Sequence, residues 1–278
     1  MSQKEMGVSN IPQPKADTSV LLQVSDCHLY ADKQAKLLGI ATFESLADVV
    51  CLAQQHTQID AVLGTGDLTQ DGSLASYQHA AQAYRRLAEP TAVRWCPGNH
   101  DDWQVAQALT VEREWFNPIL DLPHWRITLL STKVLNAVHG ELTAEQFDVL
   151  ARSLAERLDA FHLVALHHHP RPVGSAWMDK IGLHQAEQLH AFLADKPQVK
   201  AVICGHVHQE LEVQQDGIRW LTSPSTCIQF LPNSDDFALD TQQPGYRWLH
   251  LQADGRVETG VERLAGDRYQ PDITAGGY

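Results

Sequence analysis

Eight side chains of this 278-residue chain lie in short polar segments whose residue types can bind a divalent cation or move a proton. They are Asp26 and His28, Asp67, Asn99 and His100, His167, and the pair His206 and His208. All are oxygen or imidazole donors with no thiolate among them, a set that suits borderline ions such as manganese, iron or zinc. Asp26-Cys27-His28 and His206-Val207-His208 share an i, i+2 spacing. At the exit of a strand that spacing puts both donors on one side and turns the middle residue away. One such tripeptide arises often by chance. The glycines before Asp67, before Asn99-His100 and before His206 sharpen the pattern, because a residue without Cβ permits a tight turn and close approach of a ligand.

Each donor follows a short apolar run. Residues 20–24 end in Ser25-Asp26, 59–63 in Gly64-Thr65-Gly66-Asp67, and 92–96 in Pro97-Gly98-Asn99-His100. Residues 162–166 run into His167-His168-His169-Pro170, and 200–204 into Gly205-His206. Runs of about five apolar residues are expected of strands covered on both faces. Between them, 42–55, 73–87, 143–158 and 183–193 carry helical spacing, and Thr143 with Gln146 forms a capping-box pair. Strands alternating with helices indicate a layered α/β fold. In such folds ligands gather at the carboxyl ends of strands, which is where these donors fall. After residue 210 short strands follow at 211–214, 218–221, 246–251 and 257–261, expected to form a second, more antiparallel sheet packed on the first. Residues 1–18 are polar with two prolines and read as a flexible segment. Residues 19–278 read as one domain, with 211–278 completing the second sheet and adding a C-terminal extension.

Composition narrows the partners. The chain is 44% hydrophobic and 20% charged, as expected of a soluble globular protein. Its 21 basic and 34 acidic residues give a formal charge of −13, which argues against a nucleic-acid or anionic-membrane binder. An anionic substrate would then need a local positive feature, and a bound metal cluster supplies one. The five cysteines form no CxxC pair and are odd in number, so a reducing compartment is expected over a disulfide framework. With no apolar leader and no run of about 18–20 apolar residues, the expected location is the cytoplasm.

Taken in order, Asp-x-His, Gly-Asp, Gly-Asn-His-Asp, His-His and Gly-His-x-His resemble the calcineurin-like metallophosphoesterase superfamily from residue 20 to about 210. Finer features look like its bacterial class III cyclic-nucleotide phosphodiesterases. These are Asp67-Leu68-Thr69-Gln70-Asp71, Leu166-His167-His168-His169-Pro170 and the segment from Cys204 to Glu210. The likeness continues through Thr222 to Cys227, Gln229-Phe230, Pro244-Gly245 and Asp254-Gly255 to the closing Arg268 to Asp272 and Tyr278. The resemblance implies a four-layer α/β/β/α sandwich of two mixed sheets. It implies two divalent metal ions, iron or manganese ahead of zinc, bridged by one aspartate. Asp26, His28, Asp67 and His208 would hold one ion; Asp67, Asn99, His167 and His206 would hold the other. The family pattern is His-His-Pro, so the triple histidine leaves His168 as an alternative to His167.

The implied reaction is hydrolysis of 3′,5′-cyclic AMP to 5′-AMP by a hydroxide generated between two metals roughly 3.5–4 Å apart. The substrate would meet His28, Asp67, Asn99, His100, His167 and His208. His100 is the candidate general acid for the ribose leaving oxygen, with Asp71 or Asp101 as a candidate partner for its other nitrogen. Two alternatives stay open: a broader phosphodiesterase for glycerophosphodiesters or 2′,3′-cyclic nucleotides, and a non-catalytic scaffold of the same fold. A homo-oligomer is also left open. Trp177 is a candidate platform for a base, and Arg171 for the phosphate, against the plainer readings of core aromatic and solvated charge. Cys27, Cys96 and Cys204 read as small buried hydrophobes. His56, His79, His124, His139, His162, His184, His190 and His250 read as surface or structural residues.

Overall fold

The computed structural model describes residues 11–88, 92–109 and 114–277. Residues 1–10 of the expected flexible segment therefore lie outside the described residues. Two mixed sheets carry the molecule. The first contains β1 (Ser19–Val24), β4 (Ala61–Gly64), β5 (Ala92–Trp95), β14 (Gly245–Leu251) and β15 (Val257–Arg263), in the order β15-β14-β1-β4-β5. The second contains β6 (Ile119–Asp121), β7 (Trp125–Leu129), β8 (Phe161–Leu166), β9 (Val199–Cys204), β10 (Glu212–Gln215) and β11 (Ile218–Thr222), in the order β10-β11-β9-β8-β7-β6. Short two-stranded ribbons, β2 (Lys36–Leu37) with β3 (Ile40–Ala41) and β12 (Gln229–Phe230) with β13 (Leu239–Asp240), lie outside both.

The side-chain period of two sorts each strand into layers. On β1, Leu21 enters the core between the sheets while Leu22 and Val24 face an outer core. That outer core is formed with α1 (Thr42–Ala53) and α2 (Leu74–Ala88), through Leu46, Val49, Tyr77 and Tyr84. On β8, Leu163 and Ala165 point between the sheets, whereas Val164 and Leu166 meet α4 (Ala144–Glu156) and α6 (Ala186–Ala194). The layers are thus helix, sheet, sheet, helix, as the resemblance implies. Thr143 caps α4 by accepting from Gln146 N at 3.4 Å, the pair expected from the capping-box spacing.

Two findings differ from the residue pattern. The segment 211–278 does not stay with one sheet. Strands β10 and β11 extend the second sheet, but β14 pairs antiparallel with β1 and carries β15, so the tail also completes the first. Apolar runs reveal strands but not their neighbours, which the crossovers decide. Strands β6 and β7 were also not anticipated. Arg126 interrupts the apolar run of β7, yet its buried side chain is neutralised by Asp121 at 2.7 Å and Glu156 at 3.0 Å.

Buried polar side chains tie the sheets together near the polar strand ends. Gln23 on β1 donates to the Cys204 carbonyl on β9 at 3.0 Å and to Thr65 Oγ1 at 2.8 Å. Arg247 on β14 donates to Thr222 O on β11 at 2.8 Å. The Gln23–Cys204 and Arg247–Thr222 bonds cross from one sheet to the other. The apolar middle layer supplies the bulk of the adhesion. Ile127→Ala, which opens a cavity in that layer, is expected to cost about 2–5 kcal/mol in urea unfolding. A loss within about 0.5 kcal/mol would instead place Ile127 at a tolerant surface position.

Candidate metal centre

The loops after β1 and β4 run side by side. Asp26 N donates to Gly66 O, His28 N to Asp67 O and Leu29 N to Leu68 O, each at 3.0 Å. This ladder fixes Asp26 and His28 in register with Asp67. Asp67 Oδ1 accepts from His100 N at 2.8 Å, and Asp26 Oδ1 accepts from His206 N at 3.0 Å. Each carboxylate therefore anchors a loop from a distant strand. Asp26, His28, Asp67, His206 and His208 all adopt the left-handed backbone, with φ of 55°, 47°, 49°, 67° and 50°. Asp and His visit this region more readily than most residues, but each occurrence still costs of order 1–3 kcal/mol. Close packing demands glycine at two neighbours. A Cβ on Gly98 would come within 2.2 Å of Asp67 Oδ1, and one on Gly66 within 2.3 Å of His167 Nδ1.

The imidazoles are aimed by the acceptors behind them. A carbonyl accepts only, so the ring nitrogen beside it must carry the proton, leaving the other nitrogen with a lone pair. His167 Nδ1 donates to Thr65 O at 2.8 Å, and His208 Nδ1 to Ile228 O at 2.9 Å. His28 Nδ1 donates in the same way to Gln70 Oε1 at 2.7 Å. Their Nε2 atoms then face atoms that bear electron pairs. His28 Nε2 and His208 Nε2 are 3.3 Å apart, and His208 Nε2 is 3.3 Å from Asp26 Oδ1. His167 Nε2 is 3.1 Å from Asn99 Oδ1 and 3.2 Å from Asp67 Oδ2. Among the described residues, the buried atoms Asp26 Oδ2 and His206 Nε2 have no hydrogen-bond partner.

Such crowding of lone pairs is costly unless a cation sits among them. Burial opposes the charged form of Asp67, yet the imidazoles of His167, His100 and His28 hold its carboxyl well below the ordinary range. Burial likewise opposes the Asp26 anion, and His208 and His167 overcome it. Burial drives His28 down to about 3 and pushes His206 well below its usual value, so both rings stay neutral. His167 moves the other way: burial lowers it, but Asp67 and Asp26 outweigh that and raise it to about 9, so without a cation its Nε2 carries a proton toward Asp67 Oδ2 at 3.2 Å, a proton that a bound ion would displace. Two carboxylates, the neutral rings of His28 and His206, and a His167 proton that a cation can displace fit divalent cations.

The geometry groups the expected residues in two linked sets. Asp26, His28 and His208 have ligand atoms within 4.8 Å of one another, as do His167, His168 and His206. Asp67 belongs with His28 and His100 on one side and with Asp26 and His167 on the other, a central position between the sets. His168 is close by distance, but its ring nitrogens are both engaged. Nε2 donates to Val138 O at 3.2 Å, and Nδ1 lies 2.7 Å from Thr132 Oγ1. With Nε2 protonated, the Nδ1 lone pair takes the Thr132 hydroxyl proton, which leaves nothing for an ion. Asp101, considered as a partner for His100, accepts from Gly98 N, Thr69 N and Tyr77 Oη, and Asp71 accepts from Ala31 N and Ser73 N. Both carboxylates hold backbone in place.

Cys27 is buried beneath the Asp26–His28 pair beside Tyr84, and Cys96 and Cys204 are buried too, in the hydrophobic role expected. Trp177 packs edge-on against Phe230 and against Phe237, and Phe230 lies flat on His208 at 4.3 Å. It buttresses a ligand ring from behind. Arg171 lies over Trp220 and donates to Gln215. Residue type and spacing do not mark out the groups that aim the site: Thr65, Gln70, Ile228 and Lys133. Three of these act through a carbonyl, and Lys133 Nζ donates to Asn99 O at 2.8 Å.

Comparison with known proteins agrees with this geometry. The profile described as calcineurin-like phosphoesterase matches residues 19–210. A Pseudomonas aeruginosa protein named 3′,5′-cyclic adenosine monophosphate phosphodiesterase CpdA is 45% identical over 95% of this chain and 97% of its own length. The protein of the same name from Escherichia coli K12 is 42% identical over 93% and 94%. A 3′,5′-cyclic-nucleotide phosphodiesterase from Nostoc is 37% identical over 88% and 92%. Among solved structures, a dimetal phosphatase from Danio rerio shares the fold with a TM-score of 0.58 at 17% identity, covering 89% of this chain and 99% of that one. A purple acid phosphatase from yellow lupin does so with 0.63 at 14%, covering 95% and 56%. The paired strand-end donors, the two-sheet sandwich and the match over most of the chain make this protein a member of the calcineurin-like phosphoesterase family.

Proposed function

We propose that this protein hydrolyses 3′,5′-cyclic AMP to 5′-AMP at a dinuclear metal centre. Asp26, His28, Asp67 and His208 would hold one ion, and Asp67, Asn99, His167 and His206 the other. The observation that carries the reading is the inward-facing set of donor atoms, with the rings of His28, His167 and His208 each fixed by a hydrogen bond behind it, in a chain alike over 93–95% of its length to bacterial enzymes named for that reaction. Oxygen and nitrogen donors without sulfur favour iron or manganese, with zinc tolerated. Among the described residues no helix is long and apolar enough to cross a membrane, and all five cysteines are free, which supports a cytoplasmic site of action.

When bound, the two ions supply Lewis-acid stabilisation of the phosphoryl oxygens and acidify water at the centre. The chain's own residues do the rest. Asp67 lies between the two sets and ties the His100 backbone at 2.8 Å, so the imidazole of His100 stands at the rim, edge-on to His28 with centroids 5.0 Å apart. From there the ring, as general acid, gives a proton to O3′ as a water oxygen that has lost its proton to solvent bonds to phosphorus and the P–O3′ bond breaks, leaving a ribose 3′-hydroxyl and a 5′-phosphate. Lys133 fixes the Asn99 carbonyl, which keeps the Asn99 side chain facing His167.

His100→Ala is expected to retain its metal while kcat for cyclic AMP falls about 10²–10⁴-fold. The deficit should shrink for bis(p-nitrophenyl) phosphate, whose phenolate leaves without a proton; an equal loss on both substrates would refute the acid role. For Gly98→Ala, elemental analysis is expected to show metal loss with near-native circular dichroism, because the new methyl meets the Asp67 carboxylate. Full occupancy in that variant would mean the carboxylate is not a ligand. A panel of cyclic AMP, cyclic GMP, 2′,3′-cyclic AMP and glycerophosphocholine, run with manganese or iron, tests the substrate. The highest kcat/KM is expected for cyclic AMP, and a flat profile would favour a broad phosphodiesterase.

A further inference from the structure

Outside the reaction centre, three donors that the proposed chemistry does not use converge on the outer rim. We infer that His139, Glu141 and His184 form a separate binding site for one zinc-class transition-metal ion. His139 Nε2 and His184 Nδ1 lie 3.6 and 3.5 Å from the same atom, Oε1 of Glu141. The ligand atoms of all three side chains fall within 4.8 Å of one another. Zinc bonds of about 2.0–2.1 Å in a tetrahedral site hold donors roughly 3.3–3.4 Å apart, so two of the separations are close to the coordinated value. Two imidazoles and a carboxylate are also a composition that zinc-class ions take.

The backbone, not chance packing of flexible arms, brings the donors together. Gly140 N donates to Gly182 O at 3.1 Å and His184 N to Gly140 O at 2.9 Å, clasping 139–141 against 182–184. The side chains remain 30%, 43% and 49% exposed for His139, Glu141 and His184, which leaves an entry path and room for water ligands. The two rings lie stacked, with centroids 3.9 Å apart and planes 9° from parallel. Binding one ion between them requires the rings to splay, a rotation about their broad χ2 torsions on partly exposed side chains. The site is distinct from the reaction centre but adjoins it. The ring of His168 fills the space a Cβ on Gly140 would need, and its other side lies 4.7 Å from the His206 ring.

The test uses untagged, full-length protein whose reaction centre has been filled with manganese. Zinc is titrated calorimetrically, and both metals are counted after desalting. The wild type is expected to take up one zinc without releasing manganese. His139→Ala and His184→Ala are each expected to weaken that uptake roughly 100-fold. The double variant is expected to abolish it while leaving the manganese count and cyclic AMP hydrolysis unchanged. No extra zinc, zinc uptake matched one for one by manganese release, or uptake that survives in the double variant would each overturn the assignment. Because the readout is the zinc count, failure here is distinguishable from failure of the proposed hydrolytic reaction.

Discussion

Oxygen and imidazole donors crowded around one point, with too few protons to pair them, are the constraint on which this molecule is built. Asp26, Asp67, His28, His167 and His208 come together at separations near 3.2 Å, at distances where neutral or anionic acceptors repel. Nothing in the local sequence favours that arrangement. It persists because every imidazole is locked from behind by an acceptor, and every carboxylate is locked by a backbone N–H from another loop. Five of the expected ligand residues held in the left-handed backbone region show how much the scaffold imposes. The apolar layers on either side supply the free energy that such a site consumes, burying leucines and isoleucines worth about 1.5–3 kcal/mol each.

The same arrangement separates roles among neighbouring histidines. His167, His168 and His169 are consecutive and all buried, yet only His167 turns its Nε2 toward Asp67 and Asn99. His168 spends both nitrogens on Thr132 and Val138, and His169 stacks 18° from parallel with His206. Burial and proximity are alike for the three, so hydrogen-bond partners make the distinction. The aromatic backing of His208 by Phe230, itself braced by Trp177, is the apolar counterpart of those bonds.

Much of this was readable without coordinates. Donors at the ends of five apolar runs imply convergence on one sheet edge, and the structure brings all seven expected ligands together. The five strands and four helices fall within a few residues of their expected bounds. Pairing was not readable, because a run of apolar residues is compatible with several neighbours; hence the tail's division between two sheets. Strand β7 hid behind Arg126, whose charge is cancelled by residues far along the chain. Thr65, Gln70 and Ile228 carry no signal, since their contribution is an oxygen that any residue could present or that any glutamine carries. His139 and His184 are separated by 44 intervening residues and meet only because Gly140 and Gly182 clasp.

The position of β1 has a bearing on how the molecule is made. This strand delivers the first ligands, but one of its two partners, β14, begins at Gly245, and Ser225 donates to the Asp26 carbonyl at 2.7 Å. A nascent chain emerging from the ribosome thus holds its first strand with an unpaired edge until residues beyond 250 appear, an interval in which such an edge can join another chain. Residues 19–210, the stretch that matches the family, therefore leave one edge of β1 without its partner, because β14 and β15 lie beyond them.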